Sequence, residues 1–592
     1  MKPRQQEVRP VRVANCSGFY GDLTRAAKDM VEGGPIDVLT GDYLAELTML
    51  ILWKARRRDP DAGYARTFLT QLEEVLGTCL DRGIRIVSNA GGLNPRGLAD
   101  EVRKLAAGLG LSPRVAYLSG DDLLDRLPDL QAQGHDLAHL DTGQPLADRG
   151  VQPVTANAYL GGWGIAAALD AGADIVVTPR VTDASLVVGP AAWWHGWAPT
   201  DWDRLAGAVA AGHVIECGPQ ACGGNYPFLG EVLDRRYPGF PLAEVAANGD
   251  CVVTKHPDTG GVVSVGTVTA QLLYEIADPA YLNPDVVSHF DTTRLTQQGP
   301  DRVLMSGTKG SPPPSTLKVA MNFLGGHRNT MTLVMTGLDI EEKAAWAREE
   351  LFALLGGESS FAEVDVQLLR FDRADAATNV EATAHLRVTV KDPDEAKVGR
   401  AFSGAVTALA LGGYAGFHTT TPPTPASAYG VYWPTLVPRD LVEQRLVLWD
   451  DTEQVVGHSP TGPVAPVERQ VPPGPGASSG ATTRAPLGRI AGGRSGDKGG
   501  NANVGLWTRT DEEFAWLCSA ISVDRFKELM PEAAGLEVRR YELANLRALN
   551  FVVVGLLGEG VAAATRPDPQ AKGLAEYVRS RTADIPVALL GA

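Results

Sequence analysis

The sequence predicts an α/β protein: a mainly parallel, three-layer sheet domain, then an α+β domain, then a small C-terminal α+β domain. Three observations carry this. Strand patterns alternate with helix patterns over the first 180 residues, which implies βα units and a parallel sheet covered by helices. Near residue 300 the pattern changes to half-buried strands in a ββαββα order. A stretch rich in proline and glycine then separates the last hundred residues. With 592 residues the chain exceeds a single core, and the expected divisions are 1–300, 301–456, a linker at 457–485, and 486–592.

Val11–Asn15 reads as the first strand, and Leu23–Glu32 as a helix ended by Gly33-Gly34-Pro35. Ile36–Leu39 is a second strand. Helices follow at Tyr43–Arg57 and Ala65–Arg82, the latter closed by Gly83 where a left-handed cap favours glycine. Ile84–Ser88 is a third strand, Leu98–Gly108 a helix, and Val115–Leu118 a fourth strand. The helix Tyr159–Ala171 leads into Ile175-Val176-Val177, a short continuous apolar run of the kind buried on both faces.

Each of these strands exits into a polar loop, 15–22, 40–43, 88–94, 119–122 and 180–183, the first four containing glycine. In open α/β sheets ligands bind outside the carboxyl ends of the strands. Asp22, Asp42, Asn89, Asp121, Arg180 and Asp183 therefore stand on one predicted rim. The same residue types also serve as ordinary turns and N-caps.

Between residues 201 and 266, Leu205–Val214 reads as a helix running into His213, Glu216, Cys217 and Cys222. His-x3-Cys-x4-Cys is not a usual zinc spacing and no fourth ligand lies nearby. Glu216 is a candidate general base, and Cys217 a candidate nucleophile or a buried structural thiol. Asp250–His256 reads as a strand with Lys255 at its exit, paired through Pro257–Gly261 with a second strand, Val262–Val268.

Alternation at Leu317–Phe323, Met331–Met335, Val364–Leu368 and Ala384–Val390 predicts four strands, with helices at 340–354 and 395–411. Six prolines between 460 and 475 mark the linker, which could extend over tens of ångströms at ~3 Å per residue. The last domain opens with the loop Arg494-Ser-Gly-Asp-Lys-Gly-Gly-Asn-Ala-Asn503. Its backbone N–H groups could cradle an anion. It lacks the order of a phosphate-binding P-loop, because Lys498 is followed by glycine and a strand. After the first strand only Gly18 and Gly21 of a dinucleotide-binding glycine pattern are present. Both gaps weigh against a nucleotide-dependent ligase or kinase.

Composition excludes other classes. A net charge of −16 argues against binding nucleic acid. Six scattered cysteines do not make a disulfide scaffold. The polar start, Met1–Arg12, lacks the apolar core of a secretory signal, and no apolar run is long enough to span a bilayer. A cytoplasmic protein and a homo-oligomer are expected, with no membrane partner.

Gly18–Asp22, Leu39–Glu46, Gly172–Val176, Arg180–Asp183, Gly212–Cys217, Gly266–Glu275 and Asn283–Asp285 together resemble the acyclic terpene utilisation (AtuA) family over residues 8 to 450 or so. Arg494–Gly505 resembles the small ferredoxin-like domain that accompanies it. The resemblance implies a place among enzymes that carboxylate, hydrate and cleave coenzyme A thioesters of branched terpenoids. It supplies no catalytic residues to carry over.

The expected function is an enzyme of carboxylate or acyl-CoA metabolism of the hydratase or lyase type. The alternative is a non-catalytic ligand-binding or scaffold subunit. Such chemistry needs a base, a proton donor, and cations or amides facing an enolate. Asp183, Glu216, Asp42, Lys255 and Cys217 are the catalytic candidates. Arg180, Asp22, Asn89, Arg494, Ser495, Asp497, Lys498, Asn501 and Asn503 are the binding candidates. Coenzyme A would enter as part of the substrate. The rim aspartates could hold Mg²⁺, although no spacing demands it.

Overall fold

The computed structural model describes residues 9–463, 467–469 and 480–590. Much of the expected linker, 464–466 and 470–479, lies outside the described residues. The chain forms two compact units that are interleaved in sequence. One comprises 1–322, 432–561 and 570–592, the other 323–431 and 562–569.

The first unit is built on an eleven-stranded sheet. Its middle five strands, in the spatial order Val11–Asn15, Val38–Gly41, Arg85–Ser88, Ile175–Val177 and Val115–Ser119, are parallel. On one edge of these follow Pro241–Val245, Cys251–Lys255, Arg302–Ser306 and Arg294–Gly299, and on the other Gln444–Val447 and Glu453–Val456, every added strand being antiparallel to its neighbour. The sheet is therefore mixed, not mainly parallel. The reason is connection length: parallel neighbours need a crossover, whereas Val245 to Cys251 and Gly299 to Arg302 are joined by turns that permit only hairpins.

The central strands are buried at nearly every position, as their valine-rich runs require. Ile175 and Val177 share one core with the helices Ala26–Glu32, Thr67–Arg82 and Pro95–Gly108. Helices Trp163–Ala171, Ser185–His195 and Trp202–Ile215 pack on one another and on the sheet. Gly83 ends its helix at φ 68°, the left-handed cap that its position predicts.

Two local expectations change. Val262–Val268 is not a strand: Val265–Leu272 is a helix, and Ser264 caps it by accepting the Thr267 N–H at 3.2 Å. A short apolar run does not reveal its own period, and the serine cap decides. The expected strands Leu317–Phe323 and Met331–Met335 are parts of one strand, Thr316–Thr336.

The second unit is an antiparallel sheet made from Glu363–Leu369, Thr383–Asp392, the His327–Thr336 part of that long strand, and His418–Thr419. Alternate residues Met331, Leu333, Met335 and Leu386, Val388, Val390 share a core with helices Ile340–Leu354 and Phe402–Gly412. The expected helix 395–411 starts where its pattern places it, at 395–396, and passes through a π-turn at Lys397–Ala401 before continuing as Phe402–Gly412.

The C-terminal part of the first unit has a four-stranded antiparallel sheet in the order Gly492–Lys498, Asn501–Trp507, Ala548–Val553, Val538–Leu543, with its own core. The glycine-rich stretch is thus no open loop. Arg494 to Lys498 lie in a strand, and only Gly499-Gly500 make the turn, with Gly499 at φ 63°.

Candidate active site

The five parallel strands point their carboxyl ends to one side, and their exit loops are tied to one another there. Asn89 Nδ2 donates to Asp42 Oδ1 at 2.6 Å, while its Oδ1 accepts the Tyr43 N–H at 2.8 Å. Asp42 also accepts the Leu44 N–H at 3.0 Å. Asp121 accepts from Asn157 at 2.8 Å and from the Arg180 N–H at 3.4 Å. Asp22 accepts the Gly18 and Leu23 N–H groups at 2.9 and 2.7 Å. Much of the rim thus holds its own loops in place, and Asp22 and Asn89 are positioning groups.

Arg180 is the hub. It is 2 % exposed, pairs with Asp183 at 3.2 Å, reaches the Tyr159 hydroxyl at 3.2 Å and donates to the Leu44 carbonyl. Its guanidinium lies 4.4 Å from the Tyr159 ring centre. Asp183, with 30 % of its side chain open, belongs to a cluster of charges with Glu46, Glu216, Glu275 and Lys498, here termed the acid cleft. Burial and Asp183 push Asp42 well above the carboxylate range, against the pull of Arg180. Asp183 itself is raised by burial, with Arg180 opposing.

Glu216 reaches the cleft from the end of helix Trp202–Ile215. Asn15 fixes that end by donating to the Ile215 and Glu216 carbonyls at 2.7 and 3.0 Å. Gly18 permits the approach, since a Cβ there would sit 3.0 Å from the Cys217 carbonyl carbon and 3.1 Å from the Glu216 oxygen. Burial, then Asp183 and Glu275, drive the Glu216 carboxyl well above its ordinary value. His213 Nδ1 lies 3.4 Å from Glu216 Oε1 without the alignment of a hydrogen bond. The imidazole packs at 5.0 and 5.2 Å from the rings of Tyr281 and Phe290. Burial and Lys498 lower its pKa to about 4, so it is neutral at physiological pH.

The hairpin Gly492–Trp507 brings further charges to the same cleft. Lys498 Nζ lies 5.5 Å from the Tyr281 ring and within electrostatic reach of Asp183, Glu216 and Glu275. Burial raises Glu275 to about 7, opposed by Lys498. Burial and Glu275 raise Asp497 to about 8. Glu46 ionises most easily: burial disfavours its charge, but Lys318 at 3.9 Å and Arg180 outweigh that and lower its pKa. So many carboxyls in one cleft cannot all ionise together. Burial and mutual repulsion favour the protonated forms of Asp497, Glu275, Glu216 and Asp42, while the nearby cations favour the charged form of Glu46.

Other candidates lie elsewhere or serve structure. Lys255 is spent on Thr259 at 2.9 Å and Asp301 at 3.3 Å, and takes no part in the cleft. Burial, then Glu216, pushes the Cys217 thiol well up, which keeps it protonated. Ser495 accepts the Ala575 N–H at 2.9 Å. Asn501 bonds Asp141 and the Gly555 N–H, both at 2.8 Å. Asn503 donates to the Leu273 carbonyl at 2.7 Å and accepts the Glu275 N–H at 3.0 Å, seating the hairpin on the α/β part. Arg494 stacks 4.1 Å from the Tyr274 ring centre.

Sequence reasoning missed Glu46, Glu275, Tyr159, Tyr281, Lys318 and Lys572 as site residues. Glu275 follows its helix with φ 55°, a left-handed turn that no residue pattern announces. Among the described residues, no group of three or more His, Cys, Asp and Glu side chains is disposed to hold a metal ion. No helix of the described residues is long and apolar enough to cross a membrane.

The sequence model of a family described as acyclic terpene utilisation family protein AtuA matches residues 11–448. That of the AtuA ferredoxin-like domain matches residues 485–583. No curated protein matches the chain.

Proposed function

The chain belongs to the acyclic terpene utilisation family, and on that premise we propose that it is a hydratase or lyase acting on a carboxylate or acyl thioester. What supports this reading is the clustering of cations and carboxyls from distant segments: Arg180 pairs with Asp183 at 3.2 Å, Lys318 stands 3.9 Å from Glu46, and Lys498 lies over Tyr281 within electrostatic reach of Asp183, Glu216 and Glu275. Reversible loss of water beside a carbonyl needs a base for the Cα proton, an acid for the departing hydroxyl, and positive charge facing the enolate.

In this scheme the Asp183 carboxylate takes the Cα proton. Glu275, protonated below about pH 7, gives its proton to the hydroxyl, which leaves as water as the C=C bond forms. Lys498 faces the enolate oxygen, and Arg180 keeps Asp183 oriented. The reverse sequence adds water. Docking of the hairpin on Tyr274–Glu275 limits solvent around these charges, which strengthens each interaction.

The test is purified full-length protein incubated with branched 3-hydroxyacyl, enoyl and glutaconyl thioesters, with turnover and Cα deuterium exchange from D₂O as readouts. Turnover or exchange of at least one class is expected. Neither, from a folded protein that binds the thioester, would leave a non-catalytic binding subunit as the better reading.

A further inference from the structure

A cavity of about 250 Å³ lies between the segment Asn225–Leu229 and the ferredoxin-like part, lined among others by Tyr226, Leu229, Arg494, Lys572 and Glu576. Three features make it unusual in so acidic a chain. Its cations come from two separate segments, Arg494 from the hairpin and Lys572 from the approach to helix Leu574–Ser580. Its one carboxylate, Glu576, is already paired with Arg579. Arg494 is 6 % exposed, and its Nε has no hydrogen-bond partner among the described residues. Its side chain donates to the neutral Gln220 Oε1 and stacks on Tyr274, and no carboxylate stands within ion-pair distance of it among the described residues. Glu275 acts on this guanidinium only from beyond ion-pair distance, and a buried guanidinium with no directly paired carboxylate is costly and favours an anion beside it. Lys572 stacks beside it, 4.3 Å from the same Tyr274 ring, and its Nζ lies 3.4 Å from Glu275. Lys572 thus lines the cavity and touches Glu275 of the acid cluster as well.

We propose that this cavity is a subsite for the anionic end of the substrate, a phosphoryl or carboxylate group held by Arg494 and Lys572. The aromatic and aliphatic wall of Tyr226, Pro227 and Leu229 would cover the carbon chain between that end and the cleft. Guanidinium and ammonium groups suit either oxyanion. The proposal extends the reading of the cleft as an active site, but anion binding does not require turnover.

The experiment is calorimetric titration of the full-length protein with inorganic phosphate and, separately, with glutarate. The same titrations are made on Arg494→Gln and Leu229→Glu. Wild type binds at least one probe, and Arg494→Gln weakens it about tenfold or more. Leu229 is 65 % exposed, so Leu229→Glu sets a repelling carboxylate at the wall without disturbing the fold, and it weakens binding in the same direction. Phosphate alone identifies a phosphorylated end, glutarate alone a carboxylate end, and both an oxyanion site without discrimination. Binding of neither probe to wild type overturns the proposal, as does binding that both cavity variants leave unchanged. If the probes bind as expected and no thioester turns over, the subsite stands and the hydratase or lyase reading falls.

Discussion

Arg180 and Asp183 stand three residues apart on one loop and pair at 3.2 Å, with the arginine buried and the aspartate open to the cleft. This asymmetry divides their roles. Arg180 is held from several sides by Tyr159 and the Leu44 carbonyl, so it can orient Asp183 without depending on it. Asp183→Asn should lower turnover by ~10²–10⁴-fold, the usual range for a lost acid–base group, with little change in melting temperature. A large drop in melting temperature would mean that the carboxylate serves the fold.

Glu275 links pH to both stability and activity. Its carboxyl is raised from the ordinary 4.5 to about 7. Between those values the folded state binds more protons than the unfolded state, so its contribution is full below pH 4.5 and is lost as pH rises through about 7. Glu275→Gln should therefore flatten that part of the melting-temperature profile. Turnover that needs the protonated acid should also fall above about pH 7 in wild type. An identical melting profile in the variant would place the proton elsewhere.

Cys217 offers a sharp contrast of mechanism. Burial and Glu216 keep the thiol protonated, and a thiol is a poor nucleophile beside its thiolate. Cys217→Ser should retain most activity in steady-state assays. Complete inactivation of a folded variant would restore covalent catalysis to consideration.

The docking of the hairpin can be tested apart from its charges. At Gly496 a Cβ would stand 2.5 Å from the Tyr274 ring and 3.1 Å from Glu275 Cγ. Gly496→Val should displace Lys498 and Glu275 relative to each other and lower kcat more than ~10-fold, in keeping with the sensitivity of catalysis to small misplacements. Far-ultraviolet circular dichroism should stay close to wild type. Unchanged kcat would show that the cleft works without a close fit of the hairpin.

The rim was legible because a strand and the polar loop after it are neighbours in sequence. Asp42, Asn89, Asp121, Arg180 and Asp183 all sit where the βα pattern places them. The flanking antiparallel strands were harder to read, since an apolar run says little about its partner. Val262–Val268 shows the limit: apolar enough for a strand, it became a helix once Ser264 capped it.

What the sequence determined by itself is local: the strand and helix alternation, the glycine cap at Gly83, the loop chemistry at the strand ends, and the family resemblance of those motifs. What only the tertiary structure decided is which charges share one low-dielectric space. Glu46, Glu216, Glu275, Lys498 and Lys572 come from five distant segments, and the shifts of the three glutamates and of Lys572 follow from burial and mutual distance, which no spacing along the chain encodes. Lys255 makes the converse point. At the end of a strand it read like a site residue, and the fold turned it towards Thr259 and Asp301 instead.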